Sequence, residues 1–322
     1  MEKMKRDFLK GLLVPDNTGA TAAEGANLPK PIAAEVIKKI EEVNWCRQLF
    51  RVLTVPGRTL SVPVVNYDYD NVKQAAIGGA PSGLSDTTPS VGSIVLNPGK
   101  LAAKGTLNVD DIGDASLELV DMLLENFAIA FGRAEERAML LGSGRDRAST
   151  TLLDMFYGLY TIAADHCSNT PVTYNPSTAY AVVDAVSEAI KTLGVYARNK
   201  GDLVLIVSST MADYLRKDKS LRANMLGSGE VLRSGNLPSV FGVDVVESTY
   251  LDGQGQGSNK AAGILLPKSE VIIGDRRQFK VVPDMDPAND AVDYYAYESV
   301  DMQLQHKTGS NYDAIVLIDQ VS

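Results

Sequence analysis

Residues 117–141, LELVDMLLENFAIAFGRAEERAMLL, contain the longest regular apolar pattern of the chain. Its apolar residues alternate spacings of three and four, which places them on one face of an α-helix. They are Leu117, Val120, Leu124, Phe127, Phe131, Ala134, Ala138 and Leu141. With Asp114 as a candidate N-cap, the pattern predicts a helix over about 115–141, roughly 40 Å long. Gly142 and Gly144 predict its end. A helix of this length favours a structural spine, with an ordinary core helix as the alternative.

The residues before this helix predict two strand regions joined by a glycine-rich tip. Residues 51–69, RVLTVPGRTLSVPVVNYDY, and residues 93–109, SIVLNPGKLAAKGTLNV, have a composition typical of strands. Between them, residues 75–92, AAIGGAPSGLSDTTPSVG, are crowded with Gly, Pro, Ser and Thr. A loop of about 50 residues is uncommon inside a compact domain, so we expect its partner surface to lie on another chain.

From residue 150 onward, strands and helices alternate, as in a mixed α/β arrangement. The pattern predicts a helix over about 177–197, a buried strand over 203–208, and a short helix capped by Ser209. Further strands are predicted in GVDVVES, AGILLP, SEVIIGD, FKVVPD and the closing, buried YDAIVLID. In residues 292–306 apolar residues stand at even spacing, which predicts a strand, although Glu298 interrupts the series.

Composition and charge exclude several classes of protein. The chain has 322 residues, of which 45% are hydrophobic and 22% charged, close to globular averages and far from wholesale disorder. Its 31 Lys and Arg against 40 Asp and Glu leave a formal charge of -9, which argues against tight DNA binding. Cys46 and Cys167 cannot build a disulfide framework and suit a reducing cytosol. No apolar run reaches the ~18 residues of a membrane span, so we expect no membrane insertion.

The chain lacks the sequence features of common catalytic sites. A Ser-His-Asp or Cys-His unit would have to use His166 or His306, the only two histidines. His166 and Cys167 lie in the polar stretch AADHCSNTP, which favours a solvated loop pair over a nucleophile-base or metal pair. His306 ends a predicted strand, and we expect it on the surface. No phosphate-binding loop, dinucleotide-binding turn or serine-hydrolase elbow appears, so no cofactor is predicted.

Four aspartates near the C-terminal part of the chain form an acidic cluster: Asp284, Asp286, Asp290 and Asp293. Such a cluster could attract a divalent cation, because hard cations take several oxygen ligands. The spacing is not that of an EF-hand, and a solvated turn is the favoured interpretation. Asp284, Asp286 and Asp290 are therefore only weak metal candidates.

The N-terminal residues predict a short helix followed by an arm. Met4, Phe8 and Leu12 recur every four residues among basic residues, which predicts a basic amphipathic helix of about three turns. A frayed terminus, docking on a partner protein and membrane binding all stay open here. The following NTGATAAEGANLP buries little apolar surface, so we expect it to become ordered only against something else. Pro31 suits the first turn of a helix that runs to about Asn44.

This order of elements resembles the major capsid protein of tailed bacteriophages, whose fold is shared with encapsulins. The resemblance covers Leu28 to Asp319 and is most specific in residues 94–111, IVLNPGKLAAKGTLNVDD, and residues 202–219, DLVLIVSSTMADYLRKDK. The later FGVDVVES, IIGDRRQFKVV and DAIVLID follow the family's order too. The resemblance implies an α+β fold with an N-terminal arm, an extended loop, a peripheral domain with a long spine helix, and an axial domain.

The resemblance also implies a domain division and a function. The division is an N-terminal arm at 1–30, an extended loop at 54–108, a peripheral domain at 31–53, 109–150 and 285–322, and an axial domain at 151–284. The implied function is structural: self-assembly through pentamers and hexamers into an icosahedral shell that encloses double-stranded DNA, with no catalytic residue and no cofactor. An encapsulin-like shell that holds enzyme cargo is the alternative, and a soluble α/β enzyme with an unrecognised site is a remote one.

Other copies of the chain are the implied partners, with a separate scaffolding protein, a portal and decoration proteins as further ones. DNA would be packaged without sequence-specific binding, and no membrane is involved. The implied location is the virion capsid, assembled in the cytoplasm of the bacterial host. Some members begin with a cleavable scaffolding segment, whereas the arm begins near Met1 here. A separate scaffold, no scaffold, or a processed form all stay open.

The resemblance suggests residues that contact neighbouring subunits: Lys73, Ile77, Leu84, Lys100 and Lys104. Some family members also cross-link subunits by joining a loop lysine to an asparagine. Lys73 and Asn311 supply both residue types, but no local motif pairs them, and solvated polar residues are the favoured interpretation.

Overall fold

The computed structural model describes nine stretches of the chain. They are residues 44–66, 90–108, 118–146, 148–178, 181–218, 239–255, 259–287, 289–308 and 311–321. The predicted N-terminal arm and the predicted helix up to residue 43 lie outside these stretches. So do residues 67–89, which include most of the glycine-rich stretch and are the tip of the predicted loop.

Helices and strands within the described stretches follow one another in a mixed order. The α-helices are α1 Trp45–Leu49, α2 Glu118–Leu141, α3 Leu159–Asp165, α4 Ala181–Leu193 and α5 Ser209–Lys217. The strands are β1 Arg51–Thr54, β2 Leu60–Asn66, β3 Ser90–Leu96, β4 Gly99–Asn108, β5 Val172–Tyr174, β6 Leu203–Val207, β7 Ser239–Val240, β8 Val243–Glu247, β9 Asn259–Pro267, β10 Val271–Asp286, β11 Ala291–Leu304, β12 Lys307–Thr308, β13 Asn311–Tyr312 and β14 Val316–Val321. The 3₁₀ helices are Leu152–Asp154, Gly194–Ala197, Lys200–Asp202, Thr249–Leu251 and Lys268–Glu270.

Two larger sheets organise these elements. The first has four strands in the order β1-β10-β11-β4, and the second has six in the order β5-β14-β9-β6-β8-β7. Two further pairs, β2-β3 and β12-β13, form two-stranded sheets. The mixture of helices and largely antiparallel sheets agrees with the predicted α+β class.

The four-stranded sheet is built around the long antiparallel pair of β10 and β11. Their register runs from Val271 opposite Leu304 to Asp286 opposite Ala291. β1 pairs parallel with β10 on one edge, and β4 pairs antiparallel with β11 on the other. The sequence predicted two separate strands here, whereas β10 is continuous. Register shifts near Arg277 accommodate the polar DRRQ stretch without breaking the strand.

Helix α2 confirms the main prediction from the sequence. Its apolar stripe is buried against the four-stranded sheet and α3, with Leu124, Phe127 and Phe131 at its centre. The helix ends at Leu141, where the N–H of Gly142 donates to the carbonyl of Ala138 at 2.9 Å. A Cβ on Gly142 would lie 2.2 Å from the carbonyl oxygen of Phe156, so the close approach of the following loop requires glycine there. The predicted start near residue 115 lies outside the described stretches.

The six-stranded sheet is covered on both faces. Val204 and Ile206 of β6 face the cluster that contains α2, whereas Leu203, Leu205 and Val207 face α4 and α5. This two-sided burial explains the uninterrupted apolar run that the sequence showed. The predicted helix over 177–197 ends earlier in the structure, at Leu193, and continues as a 3₁₀ turn. Ser208, one residue before the predicted cap, accepts the N–H of Met211 at 3.2 Å.

The strand pairing departs from the predicted domain boundaries in two places. β4 was predicted as part of the extended loop, but it pairs with β11 because its alternate residues face α2. β14 falls with β11 in the predicted peripheral domain, and it lies between β5 and β9 in the six-stranded sheet, where an apolar strand is buried on both faces. The predicted boundary at 284 and 285 also falls inside β10.

Candidate assembly surfaces

Strands β2 and β3 form a hairpin of their own. Their register runs from Leu60 opposite Leu96 to Asn66 opposite Ser90, and neither strand joins a larger sheet within the described residues. Each strand has seven residues, which at about 3.3 Å per residue extends over roughly 23 Å. Val95 is 49% exposed, which is high for an apolar strand residue. The contact candidates Lys73, Ile77 and Leu84 belong to its tip and lie outside the described residues.

The base of this hairpin is fixed to the four-stranded sheet. Val55, Leu96 and Ile272 form a small buried cluster of their own. The N–H of Val55 also donates to the carbonyl of Asp275 at 2.7 Å. A Cβ on Gly274 would lie 3.1 to 3.2 Å from side-chain atoms of Leu96 and Val55, so the sheet accepts the base closely at that position. The base of the hairpin is therefore held in a fixed position on the four-stranded sheet.

A buried carboxylate adds a second attachment at the same place. The backbone N–H of Asn97 donates to Asp301 Oδ2 at 2.5 Å. Arg145 Nη2 lies 2.7 Å from both carboxylate oxygens of Asp301. Burial raises the pKa of Asp301, and the charge of Arg145 opposes that shift. One side chain of β11 thus connects the hairpin base to the loop that follows α2.

A larger ionic cluster surrounds Arg47 of α1. The guanidinium lies 2.6 Å from both Glu135 of α2 and Glu298 of β11, and 3.2 Å from Asp275 of β10. The side chains of Arg47, Glu135 and Glu298 are only 5%, 0% and 4% exposed. Asn44, the N-cap of α1, donates from Nδ2 to Glu135 Oε2 at 2.7 Å. The cluster therefore joins four segments that are far apart in sequence.

One guanidinium cannot neutralise three carboxylates, and the pKa of Glu298 reflects this. Burial, followed by the charge of the nearby Glu135, raises the pKa of Glu298 to about 9, although Arg47 acts in the opposite direction. We therefore expect Glu298 to retain its proton at neutral pH. The residue that interrupts the apolar series in the sequence is the residue that brings β11 into this cluster.

The outer face of β4 and β11 presents lysines over tyrosines. Lys100 Nζ lies 3.8 Å from the ring centroid of Tyr297, and Lys104 Nζ lies 5.6 Å from that of Tyr295. The two tyrosine rings are stacked, with an interplanar angle of 6°. Lys104 also pairs with Asp293 at 2.7 Å, a contact that raises the pKa of Lys104 and lowers that of Asp293. We call these five residues the lysine-tyrosine face.

The structure brings two of the predicted contact residues together on this face. Lys100 and Lys104 are both exposed and belong to an edge strand of the four-stranded sheet. Within the described residues β4 has no strand partner beyond β11, so it is an edge strand there.

The acidic candidates lie at the end of the β10-β11 pair, where Asp284 stands opposite Asp293 of this face. Asp284 and Asp286 lie at the end of β10, and Asp290 lies in the turn that follows, where Asn289 donates to Asp286 at 2.8 Å. Across the described stretches, no group of three or more His, Cys, Asp or Glu is arranged to hold a metal ion. Asn311 pairs with Thr308 in the β12-β13 hairpin, and Lys73, its predicted cross-link partner, lies outside the described residues.

Sequence reasoning missed several contacts of the polar residues. It gave no role to Arg47 or Glu135, whose charges carried no periodic signal, although the interruption at Glu298 marked a buried polar position. His306 was predicted on the surface, and its side chain is 32% exposed, but the sequence did not predict that its Nδ1 lies 2.6 Å from Glu270. Cys167, predicted as part of a solvated loop, is half-buried, and its Sγ contacts the carbonyl of Ile315.

Comparisons with known proteins agree on one family. The sequence profile of the phage capsid family matches residues 24–312. No curated protein sequence matches the chain. Among the described helices, none is long and apolar enough to span a membrane.

Solved structures with the same fold include capsid chains. The chain is 22% identical to the capsid of a native GTA particle computed with C5 symmetry, with 97% of both chains covered and a TM-score of 0.64. The capsid of an empty GTA particle is 23% identical, with 86% of this chain and 96% of that chain covered and a TM-score of 0.62. A chain from Mycobacterium phage Cain is 14% identical, with 95% and 94% covered and a TM-score of 0.60. These likenesses confirm the predicted fold.

Proposed function

The chain belongs to the phage capsid family, a family of structural shell proteins, and we propose that it assembles through pentamers and hexamers into an icosahedral shell that encloses double-stranded DNA. In this proposal it is the major capsid protein of a tailed-phage virion and has no catalytic role. The observation that carries the proposal is the β2-β3 hairpin, which pairs with no other strand in the described residues.

A hairpin of this kind needs a partner surface. An isolated two-stranded hairpin is only marginally stable in water, and three or more strands or a packed face are needed for independent stability. The base of this hairpin has such support in the cluster of Val55, Leu96 and Ile272. Val95, near the base, is half exposed even so. We propose that the hairpin and its tip, the extended loop of the family, lie across a neighbouring subunit.

The lysine-tyrosine face is the surface that we assign to that contact. The tip begins with the sequence YDYD at residues 67–70, which combines two carboxylates with two aromatic rings. Lys100 and Lys104, set over tyrosine rings on an edge strand, offer the complementary charge and flat aromatic area. Lys73, Ile77 and Leu84 would contact the same neighbour from the tip.

Repetition of one such contact is sufficient to build a shell. The contact joins two different surfaces, so it is head-to-tail and closes into a ring wherever the rotation permits. Each subunit would engage several neighbours at once, so modest individual contacts would add up through multivalency. The peripheral and axial domains of the family correspond in this proposal to the four-stranded and six-stranded sheets.

The charge balance suits a container for DNA. With a net charge of -9, the chain has no excess of positive charge that would bind the DNA phosphates tightly. We propose that a separate scaffolding protein, a portal and decoration proteins complete the particle, and that assembly takes place in the host cytoplasm. A Lys73–Asn311 cross-link is not part of the proposal, since solvated polar residues are the favoured interpretation, and a denaturing gel of purified shells would reveal such a bond as a ladder of multimers.

Purification of the full chain tests the proposal. We expect size-exclusion chromatography and negative-stain microscopy to show rings or closed shells of megadalton mass. Nuclease-protected DNA inside them would support the virion, whereas co-purifying enzyme would indicate an encapsulin-like compartment instead. A stable monomer that never assembles, with measurable turnover of a substrate, would contradict the proposal.

A deletion tests the part assigned to the hairpin. Removal of residues 75–90 should leave the monomer folded, because the cores of both sheets lie elsewhere, but it should impair assembly. Circular dichroism and the same chromatography would report the two effects. If the deletion abolished the soluble fold, the hairpin would have an intramolecular role and the assignment would be wrong.

A further inference from the structure

Two direct connections join the four-stranded sheet to the six-stranded sheet. One runs from β9 to β10 through Lys268–Glu270, and the other runs from β11 to β14 through residues 305–315. The connections lie side by side, since the N–H of Gln305 donates to the carbonyl of Glu270 at 2.9 Å. A change in the angle between the two sheets must therefore bend both connections at this point.

The side chains of Glu270 and His306 bind the two connections to each other. His306 Nδ1 lies 2.6 Å from Glu270 Oε1, and the backbone N–H of His306 donates to Glu270 Oε2 at 3.2 Å. Glu270 is buried, so its carboxylate has little access to water that could replace these contacts. Both carboxylate oxygens of Glu270, in the first connection, therefore contact His306 in the second.

Neighbouring contacts fasten the first connection to the six-stranded sheet. Lys268 pairs with Asp244 of β8, and Ser269 donates a hydrogen bond to Asp202. Gln305 donates from its side-chain amide to the carbonyl of Ser269. Of the contacts between the two connections described here, only the one from His306 involves a group whose ordinary pKa lies near neutral.

The charged and titratable groups around His306 come from each element packed against it. Glu270 faces it from the 3₁₀ turn, and Asp313 acts on it from the segment before β14. The ring of Tyr196 lies 5.6 Å from the imidazole, and burial raises the pKa of that tyrosine, which keeps it neutral. Lys307, the next residue, has its Nζ 5.2 Å from the ring centroid of Tyr312. Two carboxylates therefore act on the imidazole, and the cation of Lys307 lies over Tyr312.

We propose that Glu270 and His306 form a pH-sensitive clamp between the two sheets, in which the imidazolium holds the two connections together and its deprotonation loosens them. A neutral histidine still donates one hydrogen bond, but without the charge that makes such bonds stronger and shorter. The clamp is a property of the single chain and does not depend on the proposed shell.

The direction of the pH effect follows from the pair. The hydrogen bond with Glu270 raises the pKa of His306, and partial burial opposes the shift. Because the folded pKa lies above the unfolded value of about 6.5, the stabilisation is complete below that pH and is lost as the pH rises through the folded pKa. Looser coupling of the sheets is therefore expected on the alkaline side.

Exchange of the histidine C2 proton, followed by mass spectrometry, tests the ionisation. The chain has two histidines, so His306 and His166 report on separate peptides, and the method works on assemblies of any size. We expect the midpoint for His306 to lie above about 6.5 and to fall in Glu270→Gln, which keeps the size of the side chain but removes its charge. A midpoint at or below that value, or one unchanged in Glu270→Gln, would overturn the proposal.

Amide exchange tests the mechanical role in the same full-length chain. After correction for intrinsic rates, peptides that cover 268–272 and 303–308 should exchange about fivefold more slowly at pH 6 than at pH 8.5, the difference between a charge-assisted and a neutral hydrogen bond. The difference should disappear in His306→Gln and in Glu270→Gln, and persist in the control His166→Gln. If His306→Gln fails to fold, Glu270→Gln carries the test. An equal pH effect in these variants and the wild type would refute the clamp.

Discussion

The central strands of the two sheets are both buried, but by different chemistry. All five residues of β6, LVLIV, are aliphatic and fully covered. β11 buries Glu298 and Asp301 beside its apolar residues. Each of these acidic side chains meets an arginine from another segment: Arg47 of α1 and Arg145 after α2.

The two kinds of burial affect the fold differently. Aliphatic burial stabilises β6 without regard to which segment covers it, since the hydrophobic effect has no direction. Buried charges are costly unless a specific partner is present, so they favour one arrangement of neighbours over others. The four-stranded sheet thereby specifies where α1 and the hairpin base attach, and the pairs that do so are the places to test.

Removal of Arg47 should have the largest effect. Arg47→Ala leaves the buried carboxylate of Glu135 without its cation, which typically costs about 3–5 kcal/mol of unfolding free energy. Chemical denaturation followed by circular dichroism measures this loss. Lys191→Ala, which breaks an exposed pair with Glu188, is the control and should change stability by about 0.5 kcal/mol or less. Equal effects of the two substitutions would show that the buried pairs of Arg47 stabilise the fold no more than an exposed pair does.

A cavity in β6 should cost a similar or smaller amount. Leu205→Ala removes a fully buried side chain from the core around α4 and α5, with an expected loss of about 2–5 kcal/mol. Leu205→Met, which nearly conserves volume, should cost less than about 1.5 kcal/mol. Because no charge is involved, the loss should be the same at pH 6 and pH 8.5. A marked pH dependence in Leu205→Ala would show that the two cores are coupled.

The pH dependence of stability should change when Glu298 is replaced. Its folded pKa of about 9 lies above the unfolded value, so its contribution is complete at acid pH and declines as the pH rises towards 9. Glu298→Gln should flatten the stability profile between pH 7 and pH 9. Asp319, whose pKa burial raises to about 6, acts mainly below this window.

Denaturation midpoints at several pH values would measure this change of profile. The exposed Glu188→Gln serves as the control and should leave the wild-type slope intact. A slope in Glu298→Gln equal to that of the wild type would mean that Glu298 does not hold its proton.

Substitutions on the lysine-tyrosine face should have the smallest effect on stability. Lys100→Ala with Lys104→Ala removes exposed contacts, so we expect about 1 kcal/mol or less of lost unfolding free energy. Under the proposed function, assembly measured by size-exclusion chromatography should nevertheless weaken. The exposed Lys217→Ala is the control for a lost charge. Shell yield equal to that of the wild type would exclude this face from the contact.

Much of the fold could be predicted because it depends on local pattern. The stripe of α2 and the apolar run of β6 follow from residue spacing, and the structure places both as expected. The order of elements was enough to identify the family and its fold. Strand neighbours were not predictable in this way: β4 and β14 were recognised as strands, but only the structure shows that β4 pairs with β11 and that β14 lies between β5 and β9.

The candidate surfaces were less predictable. Lys100 and Lys104 were proposed from the resemblance, and only the structure shows that they face Tyr297 and Tyr295 of β11. His306 was expected on the surface, because no residue near it in sequence indicates its contact with Glu270, which is 36 residues away. Contacts between distant residues leave no periodic signal in a single sequence.

The sequence by itself determined the class of fold, the long helix, the buried strands and the family, because side-chain periodicity is a property of neighbouring residues. The tertiary structure decided which strands pair, which charges meet and where Glu270 contacts His306. Arg47 reaches Glu135 and Glu298 across 88 and 251 residues of chain. Such contacts form only after the backbone has brought the segments together, and the cost of leaving a buried charge unpaired then selects among the possible arrangements.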